Sequence, residues 1–159
     1  MSGGRYAQDT NVTSDRSRDE IERTLQRYGA TAFAYGWDAS SATVMFELLD
    51  RRVRFRLPMP DRQSNDFTRT ATGRPRSQAA ALTAWEQAGR QRWRALLLII
   101  KAKLEAVTAE ITTFEEEFLA HIVLPDNSTV GEWAAPQLAI AYGRNQMPAL
   151  LPGGHGDKP

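Results

Sequence analysis

The chain contains no cysteine, which excludes a disulfide framework and thiolate metal sites and fits a reducing compartment. Histidine is nearly absent, with only His121 and His155. Glu117 and His121 share a helix face at i, i+4 spacing, which is half a metal site with no obvious source for further ligands. Long apolar runs are also missing. The longest, Ala95 to Ile100, falls far short of the roughly 20 residues needed to cross a bilayer. It reads as a buried helix segment, and no membrane partner is expected. The leading stretch MSGGRYAQDTNVTSDRSRDE lacks the apolar core of a signal peptide, so a cytoplasmic protein is expected. Catalytic signatures are missing as well: there is no G-x-S-x-G, P-loop, H-E-x-x-H or Gly-rich dinucleotide turn. No catalytic residue, metal ligand or cofactor is assigned, and a non-enzymatic role is expected.

What is present is an uneven charge distribution. The net charge is only +1 at pH 7, yet the middle third is basic. Arg51, Arg52, Arg54, Arg56, Arg62, Arg69, Arg74, Arg76, Arg90, Arg92, Arg94, Lys101 and Lys103 face only Asp61, Asp66 and Glu86. From Glu105 onward the balance reverses, with Glu105, Glu110, Glu115, Glu116, Glu117, Asp126, Glu132 and Asp157 against Arg144 and Lys158. Such asymmetry points to a nucleic-acid partner or to pairing of the acidic third with the basic third of a neighbouring chain.

A length of 159 residues suits one domain. The pattern predicts a single α+β domain over residues 15–152, flanked by disordered tails at 1–14 and 153–159. Ser17 to Glu20 reads as a capping box opening a first helix. Ile21, Leu25 and Tyr28 follow on one face, and Gly29 stands where a left-handed cap is wanted. From Thr31 the period becomes two. Phe33, Tyr35 and Trp37 mark one strand, Val44, Phe46 and Leu48 a second, and Val53, Phe55 and Leu57 a third, so a three-stranded antiparallel sheet is expected. Pro58 and Pro60 close the third strand. Residues 61–76 show no apolar period and read as an exposed, mobile loop.

Ser77 caps the next helix. Its apolar positions Trp85, Gly89, Trp93, Leu96, Ile100, Leu104, Val107, Ile111, Phe114 and Phe118 recur every three or four residues, a seam of about five heptads. This predicts one long helix packed on the sheet, with Leu96, Ile100 and Leu104 against Val44, Phe46, Val53 and Phe55. Thr112 and Thr113 are the place where it would break into a hairpin. The exposed remainder of the seam, Trp85, Gly89, Trp93, Val107, Ile111 and Phe114, is the expected surface of a homo-oligomer, a dimer in the simplest case. A short extended segment, a turn at Pro125 to Ser128 and a short C-terminal helix over about Glu132 to Tyr142 complete the chain, with Pro136 in that helix's first turn or kinking it.

The sharpest functional signal is the basic strand. Arg52, Arg54 and Arg56 alternate with core residues, so they line the open sheet face at about 6.8 Å spacing, close to that of phosphates along an extended single strand. Arg62, Arg69, Arg74 and Arg76 on the following loop extend the site.

The phrases GATAFAYG, VRFRLPMPD, RQRWRALLLIIKAKLEAV, FEEEFLAHIVLPD and MPALLP resemble an uncharacterised family of small proteins carried by phages, prophages and bacteria. The resemblance spans about residues 15–152 and implies a setting among mobile-element accessory genes, with no activity attached. The order of elements also resembles that of the double-stranded RNA-binding domain and of phage single-strand annealing proteins, without the motifs of either. Two functions are expected in turn. One is nucleic-acid binding, of single strands or structured RNA, through the arginine-lined face. The other is a protein-binding inhibitor or adaptor that assembles through the long helix.

Overall fold

A computed structural model describes residues 16–148. The two expected tails lie outside that range. Helix α1 covers residues 16–27, and strands β1 (Ala32–Trp37), β2 (Ser41–Leu48) and β3 (Arg51–Pro58) follow. Then come α2 (Asn65–Thr68), α3 (Gln78–Thr108), α4 (Phe114–Phe118), a 3-10 turn (Leu119–His121) and α5 (Val130–Arg144). The fold is α+β, in the order the periodicities predict.

Helix α1 is held by one face, with Ile21, Thr24 and Leu25 almost wholly buried. Its end is a Schellman motif: Ala30 N–H donates to the Leu25 carbonyl, Gly29 N–H donates to that of Gln26, and Gly29 takes the left-handed φ of 97°. The expected capping box is not there, because Arg16 and Ser17 are already helical and Ser17 cannot be the N-cap. Glu20 instead accepts a hydrogen bond from Lys101 Nζ on α3.

The sheet is an antiparallel meander in the order β1-β2-β3. Phe46 stands opposite Phe33 on one side and Val53 on the other, and Val44 stands between Tyr35 and Phe55. These pairs define the core face. The β1–β2 turn is built on Asp38, whose carboxylate accepts from the N–H and hydroxyl of both Ser40 and Ser41 at 2.7 to 3.1 Å. Those bonds, the Ser40 backbone N–H first, hold its pKa down at about 2. In the β2–β3 turn both central residues, Leu49 and Asp50, lie at positive φ (50° and 58°), as a type I′ hairpin demands.

Helix α3 lies on the core face. Leu96, Ile100 and Leu104 join Val44, Phe46, Val53 and Phe55, with Ile21 and Leu25 of α1, in one buried cluster, so the expected docking is observed. The helix is shorter than a continuous seam predicts. It stops at Thr108, and Ile111 N–H and Glu110 N–H return to the carbonyls of Ala106 and Val107, with Glu110 at a φ of 59°. Thr113 then starts α4 with a capping box to Glu116. The break expected at Thr112–Thr113 is therefore the right description, and α4 folds back. Phe118, fully buried, meets Phe46 and Phe55 edge-on with ring centroids 5.9 and 6.3 Å away.

Two further expectations, on the 61–76 loop and on the start of the last helix, are corrected, and the extended segment beyond His121 is observed. Residues 61–76 form a built loop: Ser64 caps α2, which packs against α3, and Arg69 bridges to Pro75. The segment beyond His121 pairs with the outer edge of β3, through Val123 N–H to the Arg52 carbonyl at 2.8 Å. Helix α5 starts earlier than predicted, at Val130 after a Thr129–Glu132 capping box, which leaves Pro136 in its interior.

Candidate nucleic-acid interface

Alternation along β3 does place Arg52, Arg54 and Arg56 on the face opposite Val53 and Phe55, across from Glu47, Met45 and Thr43 of β2. They are not a bare cationic row. Arg52 pairs with Glu47 at 3.2 Å, and Arg54, with its side chain only 18% exposed, pairs with Glu132 of α5 at 3.3 Å. Only Arg56 of the three makes no ion pair among the described residues. Glu132 is held below the ordinary carboxylate range by the Thr129 backbone N–H, with Arg54 and Arg56 adding to the effect.

The same holds for much of the acidic third. Glu115 pairs with Arg51 at 2.7 Å and Glu117 with Lys103 at 3.0 Å. These contacts are within one chain, so the charge asymmetry of the sequence is partly neutralised on folding. Glu117 and His121 do not make a ligand pair. Glu117 is spent on Lys103, while the His121 ring stacks on Phe55 with centroids 4.0 Å apart. Burial first, and then the Lys103 charge, push the His121 pKa down against a hydrogen bond to the Arg54 backbone.

Besides Arg23 and Arg27 on α1, Arg56 on β3 and Arg144 on α5, a group of arginines without ion pairs among the described residues lies together in one part of the chain. Among the described residues, Arg62, Arg69, Arg74, Arg76, Arg90, Arg92 and Arg94 make no ion pair with any carboxylate. They sit on the 61–76 loop and the first half of α3, which the structure joins into one lobe. Met59 packs over Gly89, Trp85 Nε1 donates to the Pro60 carbonyl at 2.8 Å, and Arg92 Nη1 donates to the Pro58 carbonyl at 2.7 Å. Arg62 lies over the Trp85 ring, 5.8 Å from its centroid. Arg69 and Arg76 reach the loop carbonyls of Gly73, Asp66 and Phe67, pinning the loop while keeping their charge. The lobe rests on α3, which covers the core face, so it lies across the sheet from Arg52 and Arg54.

The expected oligomer seam is largely consumed inside the chain. Gly89, Trp93 and Phe114 are buried, Trp85 and Val107 are half-buried, and only Ile111 stands clear. The physical reason is that the sheet, α1, α4 and the Met59–Pro60 segment cover it. Conversely Leu98 and Ile99 are exposed, so the apolar stretch of α3 is not sandwiched between layers as expected.

Sequence reasoning missed one group. Tyr35 and Trp37 share the core face of edge strand β1, yet remain 46% and 67% exposed. Arg18 of α1 lies over the Tyr35 ring, yet both rings keep a large part of their surface open. The available signal was an alternating aromatic row on the first strand of a meander, which has a neighbour on one side only.

No protein-family model, curated protein or solved structure matches the chain.

Proposed function

We propose that this protein is a non-enzymatic accessory protein that binds nucleic acid through the basic lobe of the 61–76 loop and the first half of α3. The observation that carries this reading is the set of arginines there that make no carboxylate ion pair among the described residues. Arginine offers planar, bidentate donors suited to phosphate, and a phosphate chain replaces the missing counter-charges. Arg52 and Arg54 drop to a supporting place because Glu47 and Glu132 already neutralise them.

The test is salt-dependent binding of the full chain to a labelled single strand. Arg74→Ser with Arg94→Ser should lower the slope of log K against log salt by about 1.4, at roughly 0.7 per phosphate contact. Arg52→Ser with Arg54→Ser should change the slope far less. Equal losses in the two pairs would point to a diffuse electrostatic effect, and no binding by the parent protein would reject the reading.

A second reading, a protein-binding or self-assembling module, is favoured by α5. None of its residues is buried, and Leu138 and Tyr142 are 57% and 88% exposed. A helix apolar on all sides ordinarily has cover.

A further inference from the structure

Tyr35 and Trp37 are large rings left in solvent on a strand whose other neighbours in the same face are core. Their ring centroids are 6.0 Å apart with planes 18° from parallel. The stack is anchored at its inner end. The buried Arg18 guanidinium lies 4.3 Å from the Tyr35 ring centroid and 5.6 Å from that of Trp93. Trp93 belongs to the turn of α3 that carries Arg90, Arg92 and Arg94. At the other end, the turn that follows Trp37 is tied to the chain entering the lobe, since Met59 N–H donates to the Ser40 carbonyl at 2.9 Å. The exposed rings and the basic lobe thus lie toward the same end of the sheet, linked through the Ser40–Met59 hydrogen bond, on the side that bears α3.

From this juxtaposition we infer that Trp37, backed by the Tyr35 ring, forms a base-stacking platform, so that the ligand of the basic lobe is single-stranded nucleic acid. The inference rests on the nucleic-acid reading above and narrows it. A duplex hides its base faces within the stack, whereas a single strand offers each base as a flat partner for an aromatic ring. The arginines alone hold either form by its phosphates. The rings alone are apolar surface without a stated partner. Together they supply the two contacts that sequence-tolerant single-strand binding uses: cations that track the backbone and aromatic side chains on which successive bases stack. Arg18 keeps the Tyr35 ring from collapsing onto the core by packing between it and Trp93, so the platform is formed before the ligand arrives.

The experiment compares full-length parent and variants on a short oligo-dT strand and on a duplex of equal length, each at two salt concentrations. Trp37→Ala should weaken single-strand binding on the order of ten-fold, leaving duplex affinity and the salt slope as in the parent. Trp37→Phe, which keeps a ring at the site, should recover most of the loss and controls for folding. Arg74→Ser with Arg94→Ser should weaken both ligands and reduce the slope. Equal single-strand affinity for Trp37→Ala and the parent would overturn the platform while leaving the basic lobe standing. A parent that binds neither ligand would remove both readings. A parent dimer that Trp37→Ala dissociates would assign the rings to a second copy, and would also overturn the platform.

Discussion

Leu49 and Asp50 hold a turn that their side chains oppose. Both take left-handed backbone angles, a region in which an L-residue with a Cβ loses roughly 1 to 2 kcal/mol, and Leu49 is also 67% exposed. Replacing the pair with Asn-Gly, the favoured type I′ dipeptide, should raise the unfolding free energy by about 1 to 2 kcal/mol in denaturant titration. An unchanged or lower midpoint would show that the turn is set by contacts of Leu49 instead. His121 offers a second residue-scale outcome. Its folded pKa lies below the ordinary value of 6.5 because burial and Lys103 disfavour the imidazolium. As pH falls below 6.5, the unfolded chain takes the proton first, so this contribution is present above that pH and is lost as pH drops through the folded value. Stability should decline from pH 7 toward pH 5, and His121→Phe should flatten that part of the profile. An identical slope in the variant would place the titration elsewhere.

At the scale of elements, most of the fold was legible because each segment carries its own period. The spacing of Ile21 and Leu25, the alternation of Val44 and Phe46, and the Ser77 cap are local signals with local causes. The end of α3 was only half legible. Its apolar spacing continues through Ile111 and Phe114 as though the helix did, and the break depends on a left-handed Glu110 that no glycine announces. The 61–76 loop is exposed, as its sequence suggests, but its internal order is not legible for a similar reason: α2 and the Arg69–Pro75 bridge are fixed by packing on α3 and by side-chain bonds to carbonyls, which leave no periodic trace. Of the candidate site, the loop arginines were found from composition alone. Their separation from Arg52 and Arg54 was hidden, since it depends on which carboxylates the last third brings back to the sheet. The Tyr35–Trp37 pair was hidden too, because exposure on a strand's core face depends on how far the covering helices reach.

For the whole molecule, the balance between its two open surfaces decides its state in solution. Trp133, Leu138, Ile140, Tyr142 and Met147 stand exposed on or just beyond α5. Leu138 and Tyr142 share one side of the helix, opposite Trp133 and Ile140, and with Met147 offer an apolar strip on the order of 400 Å², about half of the roughly 800 Å² per partner of a standard interface, for which a second copy is the simplest cover. Light scattering at micromolar concentration should therefore report a dimer that Leu138→Asp with Tyr142→Asp converts to monomer. A monomeric parent would remove the assembly reading and leave the nucleic-acid one untouched.

The pairing of Arg51, Arg54 and Lys103 with Glu115, Glu132 and Glu117 also has a temporal meaning. During translation the cations leave the ribosome first and their carboxylate partners later. Until Glu115, Glu117 and Glu132 are made, Arg51, Lys103 and Arg54 lack these partners. The order of synthesis thus fixes when these three ion pairs can close: only after the last third of the chain has been made.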